Sequence, residues 1–316
     1  MSNTTFTVFQ EPWWLDGVAP DAWDAVEIEE GGRTVARLPF VIREVNRDLN
    51  LGQPKLTQSL GPWVETAPEA SANTQLSRQK DLFTKLINKL PPHQSFLQNF
   101  APQVTNWLPF YWQGFAQTTR YTYTLDLSQS DEELLAGASK NTRKRIRSAS
   151  RHVSVGVEDD LDVLLRLNDM TFARQEMEPP YTHDYVRNLD QAVSQNGVRI
   201  LTVARDLDTG EPTAAAYGVG DGRRIYLLMS GADPEKRDSG AGYLTKWRLI
   251  QEAKKTSEIF DFEGSMIERI ESFNRGFGAQ QTPYFQVRRT EPSGPIPLKT
   301  QLKQTAYAVA KAALRR

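Results

Sequence analysis

Three consecutive runs in the second half of the chain constrain the fold most. VRILTVARD (198–206), PTAAAYGVG (212–220) and RRIYLLMSG (223–231) are each nine residues long and are separated by LDTGE and an Asp-Gly pair. Runs of this length bounded by turn residues are strands joined as an antiparallel meander. Arg237-Asp238-Ser239-Gly240-Ala241-Gly242 then opens a run of helical spacing over 241–255. A helix start offers unpaired N–H groups and a positive dipole end, and glycines let an anion approach that backbone. A turn and cap account for the same residues without a ligand. The strand EIFDFEG, a helix over 266–275 and the strand PYFQVRR complete the order βββαβαβ. The fold class this predicts is α/β (α+β), with a mixed, mainly antiparallel sheet flanked by helices.

Composition removes several alternatives. The chain has 316 residues, 39% hydrophobic and 24% charged, enough for one large domain or two ordinary ones. Its 38 basic and 39 acidic residues give a net charge of −1, so a polyanionic partner requires a local patch. Cysteine is absent, which excludes thiolate nucleophiles, disulfides and cysteine-ligated metals. His93, His152 and His183 lack metal-ligand spacing and a GxSxG turn, so no metal site is expected. The start MSNTTFTVFQ has no basic segment leading an apolar one, and no run approaches about 18 apolar residues. A cytoplasmic protein without stable membrane insertion is expected.

The first third reads as the beginning of another α/β layer. Residues 33–44 form a β-branched strand, and LGQPKLTQSLGPWV supplies a loop and a further strand. KDLFTKLINKL aligns Leu82, Phe83, Leu86, Ile87 and Leu90 on one helical face before Pro91 and Pro92. NWLPFYWQGF (106–115) holds five aromatics around Pro109 and Gly114, too irregular for a simple helix or strand. Burial in a domain-joining core accounts for it, with an aromatic wall for an acceptor as the functional alternative; Trp13 and Trp14 carry the same two readings. RYTYTLDL then alternates as a strand, and Ser130 with Glu133 forms a capping box opening a helix to about residue 150. The expected domains are 1–118, 119–295 and a basic amphipathic helix over 296–316, packed on its parent domain.

The RxxGxG joint after the meander resembles the donor loop of GNAT acyltransferases, which holds the acyl-CoA pyrophosphate at a helix start. FDFEGSMIERIESFNRGFGAQ (260–280) looks like the F-x-F-x-G and F-K-x-x-F signature of the Fem family, tandem-GNAT enzymes that build peptidoglycan cross-bridges. The likeness is strongest over 130–289 and extends weakly to the GPWV turn at 61–64. It implies tandem GNAT-like halves, the first degenerate. Two features depart from the family: the coiled-coil arm is missing, and Asn274 stands where the motif carries lysine. Arg275 is adjacent but turned by about 100° on a helix.

The resemblance implies roles that the residue types support. Donor phosphates fall to Arg237, Gly240 and Gly242, with Ser230 and Ser239 beside them. KNTRKRIRSASR (140–151) has six basic residues and no acidic one, and Arg143, Arg147 and Arg151 lie on one helical stripe suited to phosphates of tRNA, of a nucleotide-linked precursor or of CoA. Dipole complementation at a helix end explains that run equally well. Amide formation requires a neutral attacking amine, so a carboxylate base is expected, with Glu263 first; Asn274, Arg275 and Tyr284 complete the catalytic set. Tyr226 and Tyr243 are further candidate proton donors. Lys55, Trp63, Tyr111, Trp112 and Arg174 are candidate acceptor-binding residues, although core packing or surface solvation accounts for each.

The expected function is an amide-forming N-acyltransferase acting on an amine acceptor, either a peptidoglycan precursor or a small biosynthetic molecule. No tightly bound cofactor is expected; the co-substrate is aminoacyl-tRNA or acyl-CoA. Tandem architecture and the basic run favour aminoacyl-tRNA, with tRNA held through residues 140–151, whereas the intact RxxGxG loop and Asn274 favour acyl-CoA. The balance goes narrowly to aminoacyl-tRNA. A ligand-binding module without turnover is the alternative from another class.

Overall fold

The structure, a computed structural model, describes residues 6–45, 48–66, 69–264 and 266–290. In chain order, α1 (Pro12–Val18) precedes β1 (Trp23–Glu30), β2 (Arg33–Val45), β3 (Asp48–Gly52) and β4 (Trp63–Val64). Next come α2 (Ala72–Lys89), β5 (Ser95–Asn99), α3 (Leu108–Trp112) and β6 (Ala116–Asp126). They are followed by α4 (Asp131–Gly137), α5 (Lys140–Ala149), β7 (Val153–Val157), α6 (Leu161–Ala173) and α7 (His183–Asn196). The meander is β8 (Val198–Asp206), β9 (Pro212–Gly220) and β10 (Arg224–Ala232), leading to α8 (Ala241–Ala253), β11 (Ile259–Asp261), α9 (Glu268–Arg275) and β12 (Gln280–Thr290). The anticipated 296–316 helix lies outside the described residues.

Two compact units divide the described residues: those within 6–10, 19–119 and 284–290 form one, and those within 11–18 and 120–283 form the other. Thus α1 clusters with the second unit and β12 from Tyr284 onward with the first, although both were expected in the opposite halves.

In the first unit, β1, β2 and β3 pair antiparallel, β3 pairs parallel with β5, and β5 pairs antiparallel with β12. Ser71 caps α2 by accepting from the Thr74 N–H, so this helix begins well before the expected KDLFTKLINKL. Leu82, Phe83, Leu86 and Ile87 are buried against Phe96, Phe100 and Phe110, each contributing roughly 1.5–3 kcal/mol. The aromatic run folds as the short helix α3, with Phe110 and Phe115 in the core and Tyr111 and Trp112 exposed. Pro109 at its first turn lacks an N–H where none is needed, which is why an irregular-looking sequence is helical.

In the second unit, β6 pairs antiparallel with β11, β11 pairs parallel with β10, and β10, β9, β8 and β7 continue antiparallel. Both arms of the Ser130–Glu133 capping box form. The helix they open stops at Gly137, however, and a second begins at Lys140 under its own cap, Ser139 accepting from the Thr142 N–H. The single helix expected to residue 150 is therefore two. Gly231 fixes α6 against β10, because a Cβ there would lie 2.3 Å from the Leu167 carbonyl carbon.

Candidate active site

The β10–β11 pairing is short: Arg224, Ile225 and Tyr226 face Ile259, Phe260 and Asp261. β11 ends there, whereas β10 continues to Ala232, leaving its later backbone without a partner on that edge. From this split β10 leads through a 3-10 turn, Arg237–Ser239, into α8. A cavity of about 540 Å³ lies at this joint, within the size range of ligand pockets. Ser230, Gly240 and Gly242 line it together with Arg145, Lys246 and Phe273.

The two loop glycines have different functions. Gly240 caps α8 with φ +76°, and a Cβ there would meet the Arg145 carbonyl oxygen at 2.9 Å. Its freedom lets the turn close against α5. A Cβ on Gly242 would meet nothing within 4 Å, so this residue keeps the cavity floor open at the α8 N-terminus. Ser239 Oγ donates to the Lys236 carbonyl at 2.6 Å and accepts from the Ala241 N–H at 3.2 Å, organising the turn.

Arg145, which sequence reasoning did not single out, is the α5 cation that reaches this cavity; its Nη1 lies 3.4 Å from the Asp238 carbonyl. Arg143 instead donates to the carbonyls of Ala136 and Ala138 at 2.8 and 2.6 Å, satisfying the end of α4. Arg147 is exposed on α5, with Lys140 and Lys144.

Glu263 follows β11 across the split. Its φ is +53°, a left-handed conformation costing a non-glycine residue roughly 1 kcal/mol or more. Its N–H donates to Asp261 Oδ1 at 3.0 Å. Asp261, fully buried, also pairs with Arg224 Nη1 at 2.8 Å and accepts from the Thr122 hydroxyl. Glu263 Oε1 is buried without a hydrogen-bond partner. Burial, and secondarily the charge of Asp261, holds the Glu263 carboxyl well above the usual carboxylate range.

One contact joins the Glu263 main chain to a residue beside the cavity wall, and others tie β10 to α6. Asn274, nearly fully buried, donates from Nδ2 to the Glu263 carbonyl at 3.4 Å, while the preceding Phe273 lines the cavity. Asn168 Nδ2 donates to the Ser230 carbonyl at 3.0 Å, and its Oδ1 accepts from the Tyr181 hydroxyl at 3.1 Å. Burial raises Tyr181 to about 12, with Asp169 and Glu263 adding to the rise. Tyr226 is also raised by burial. Arg275 points elsewhere, pairing with Glu271 at 2.8 Å.

Tyr284 is buried in β12 and belongs to the first unit, as do Lys55, Trp63, Tyr111 and Trp112. Arg174 is exposed at the end of α6. No metal-binding group of His, Cys, Asp or Glu occurs among the described residues, nor is any of their helices long and apolar enough to cross a membrane.

Residues 136–265 match the acetyltransferase (GNAT) domain family. Beyond that segment the likeness to solved structures is one of fold. The chain is similar to the crystal structure of FemX at 12% identity, with 88% of this chain and 91% of that one covered and a TM-score of 0.64. A tandem GNAT protein from the clavulanic acid biosynthesis pathway is 13% identical, with 90% and 88% coverage and a TM-score of 0.54. The C-terminal domain of an Agrobacterium fabrum protein assigned as a lysylphosphatidylglycerol synthetase is 14% identical, with 90% of each chain covered and a TM-score of 0.55. No curated protein matches the sequence. The mixed α/β, mainly antiparallel GNAT-like class expected from the sequence is the class observed.

Proposed function

We propose that this chain is an N-acyltransferase that moves an acyl group from a CoA thioester onto an amine. One observation carries the reading: a cavity with an open glycine floor at the α8 N-terminus is linked, through Phe273 and Asn274, to the main chain of Glu263, whose buried carboxyl has an unpartnered oxygen. The donor diphosphate lies against the α8 N–H groups and Arg145, and the thioester extends into the split. Glu263 takes a proton from the acceptor ammonium or from the attacking nitrogen. The nitrogen then bonds to the acyl carbon, the carbon–sulfur bond breaks, and the thiolate leaves to be protonated from solvent. A carboxyl raised above its ordinary range is a stronger base once ionised, which suits proton removal from an amine.

A second reading, with aminoacyl-tRNA as donor, is favoured by the likeness to FemX and by exposed Lys140, Lys144 and Arg147. Arg143, committed to the end of α4, shortens the basic stripe that reading would use. The cavity itself is the stronger argument, so the CoA donor is preferred over the donor favoured by the sequence. Titrating the purified chain with CoA and with uncharged tRNA tests the choice. Saturable CoA binding, with acylated amine detected by mass after acetyl-CoA is supplied, is expected; tRNA binding without CoA binding would transfer the assignment to the second reading.

A further inference from the structure

Lys246 stands four residues after Gly242 and lines the same cavity. Four residues separate positions on one helix face by about 6 Å of rise, and helical side chains lean toward the N-terminus. The lysine stem therefore carries its ammonium back toward the level of Gly242. Its Nζ lies 5.0 Å from the centroid of Phe273, a cation–π contact. Among the described residues no carboxylate is paired with it, although Asp233 and Asp238 line the cavity too. Desolvation alone pushes its pKa down to about 8.

An ammonium held in partly apolar surroundings without an anion is costly to the empty protein. That cost is recovered when an anion enters, and the start of α8, from Gly240 to Tyr243, lines the same space. We propose that Lys246 is a donor-phosphate-binding residue, closing with Arg145 and the α8 N-terminus around a phosphodiester or diphosphate. This inference rests on the acyl-transfer reading but names a residue outside the glycine loop. The shared chemistry admits two sources, the CoA diphosphate and the terminal phosphates of tRNA.

The test is calorimetric titration of the full chain and of its Lys246→Met and Lys246→Arg variants with CoA, inorganic pyrophosphate and uncharged tRNA, with melting curves run alongside. Methionine approximates the volume of the stem without its charge, so the variant is expected to melt no lower than the parent. It should bind pyrophosphate and the preferred donor about tenfold more weakly, the scale of one charge-assisted contact, while arginine restores most of the affinity. Loss confined to CoA and pyrophosphate identifies the diphosphate as the source; loss confined to tRNA identifies nucleic-acid phosphates. Wild-type affinity for every ligand in Lys246→Met would overturn the inference alone. A parent chain that binds neither CoA nor tRNA would overturn the acyl-transfer reading, and this inference with it.

Discussion

Two joints face the same split and are built in opposite ways. The β10–α8 joint is glycine-rich, open and bordered by cations, whereas the β11–α9 joint places a glutamate in a left-handed conformation with a buried, unpartnered oxygen. At the first, unusual backbone geometry falls on glycine, which tolerates it. At the second it falls on a residue that pays for it, anchored by the Asp261–Arg224 pair. On the proposed acyl-transfer reading the contrast separates binding from chemistry, with the anion assigned to one joint and the base to the other.

Glu263→Gln is expected to separate the two most sharply. Turnover should fall by about 10²-fold or more, the range for loss of a general base, with CoA affinity unchanged. Equal activity in rapid-mixing assays would remove the base assignment. Gly242→Leu should do the reverse, weakening CoA binding by at least about tenfold by filling the cavity floor. Gly242→Ala instead should stabilise the first turn of α8 by roughly 0.5–1 kcal/mol in denaturant melts.

The pH dependence sharpens the same division. Because the Glu263 carboxyl is raised, kcat/KM should climb with pH through that elevated range, and Glu263→Gln should lose the dependence. Stability has the opposite sign. Between the ordinary carboxylate range and the elevated one, the folded chain binds a proton the unfolded chain has released, so this residue makes stability fall as pH rises. The Gln variant should therefore melt higher than the parent at pH 8, and the gap should close in acid. Glu263→Gly is expected to leave stability within about 1 kcal/mol of the parent, because relief of the positive φ offsets the loss from an emptied site, while activity is lost.

The meander, the Gly-rich joint and the capping box were legible because each is local: turn residues bound the strands, and Ser130 and Glu133 are three apart. Glu263 was legible as a carboxylate on the strand EIFDFEG, but β11 ends at Asp261, and the strain and missing partner of Glu263 depend on Asp261, Arg224 and Asn274 meeting in three dimensions. The basic run misled for a related reason. Helical spacing joins Arg143 to Arg147, yet the unrecognised break at Ala138 gives Arg143 open carbonyls to satisfy and leaves Arg145 to face the cavity. Lys246 left no signal, since a lysine within LTKWRL reads as an ordinary solvated helix position until α9 packs Phe273 beneath it. A sequence signal also existed for β7, whose VSVGV alternation after the basic helix was passed over.

The central claim is that the split between β10 and β11 holds an acyl donor with its phosphates on α8 and its reacting end at Glu263. A crystal structure of the full chain with CoA tests this most directly. The account predicts the diphosphate over Gly242, within hydrogen-bond reach of the α8 N–H groups and Lys246, and the sulfur in the split facing the Glu263 carboxyl. CoA bound away from α8, or entering the cavity with its sulfur directed away from Glu263, would contradict it.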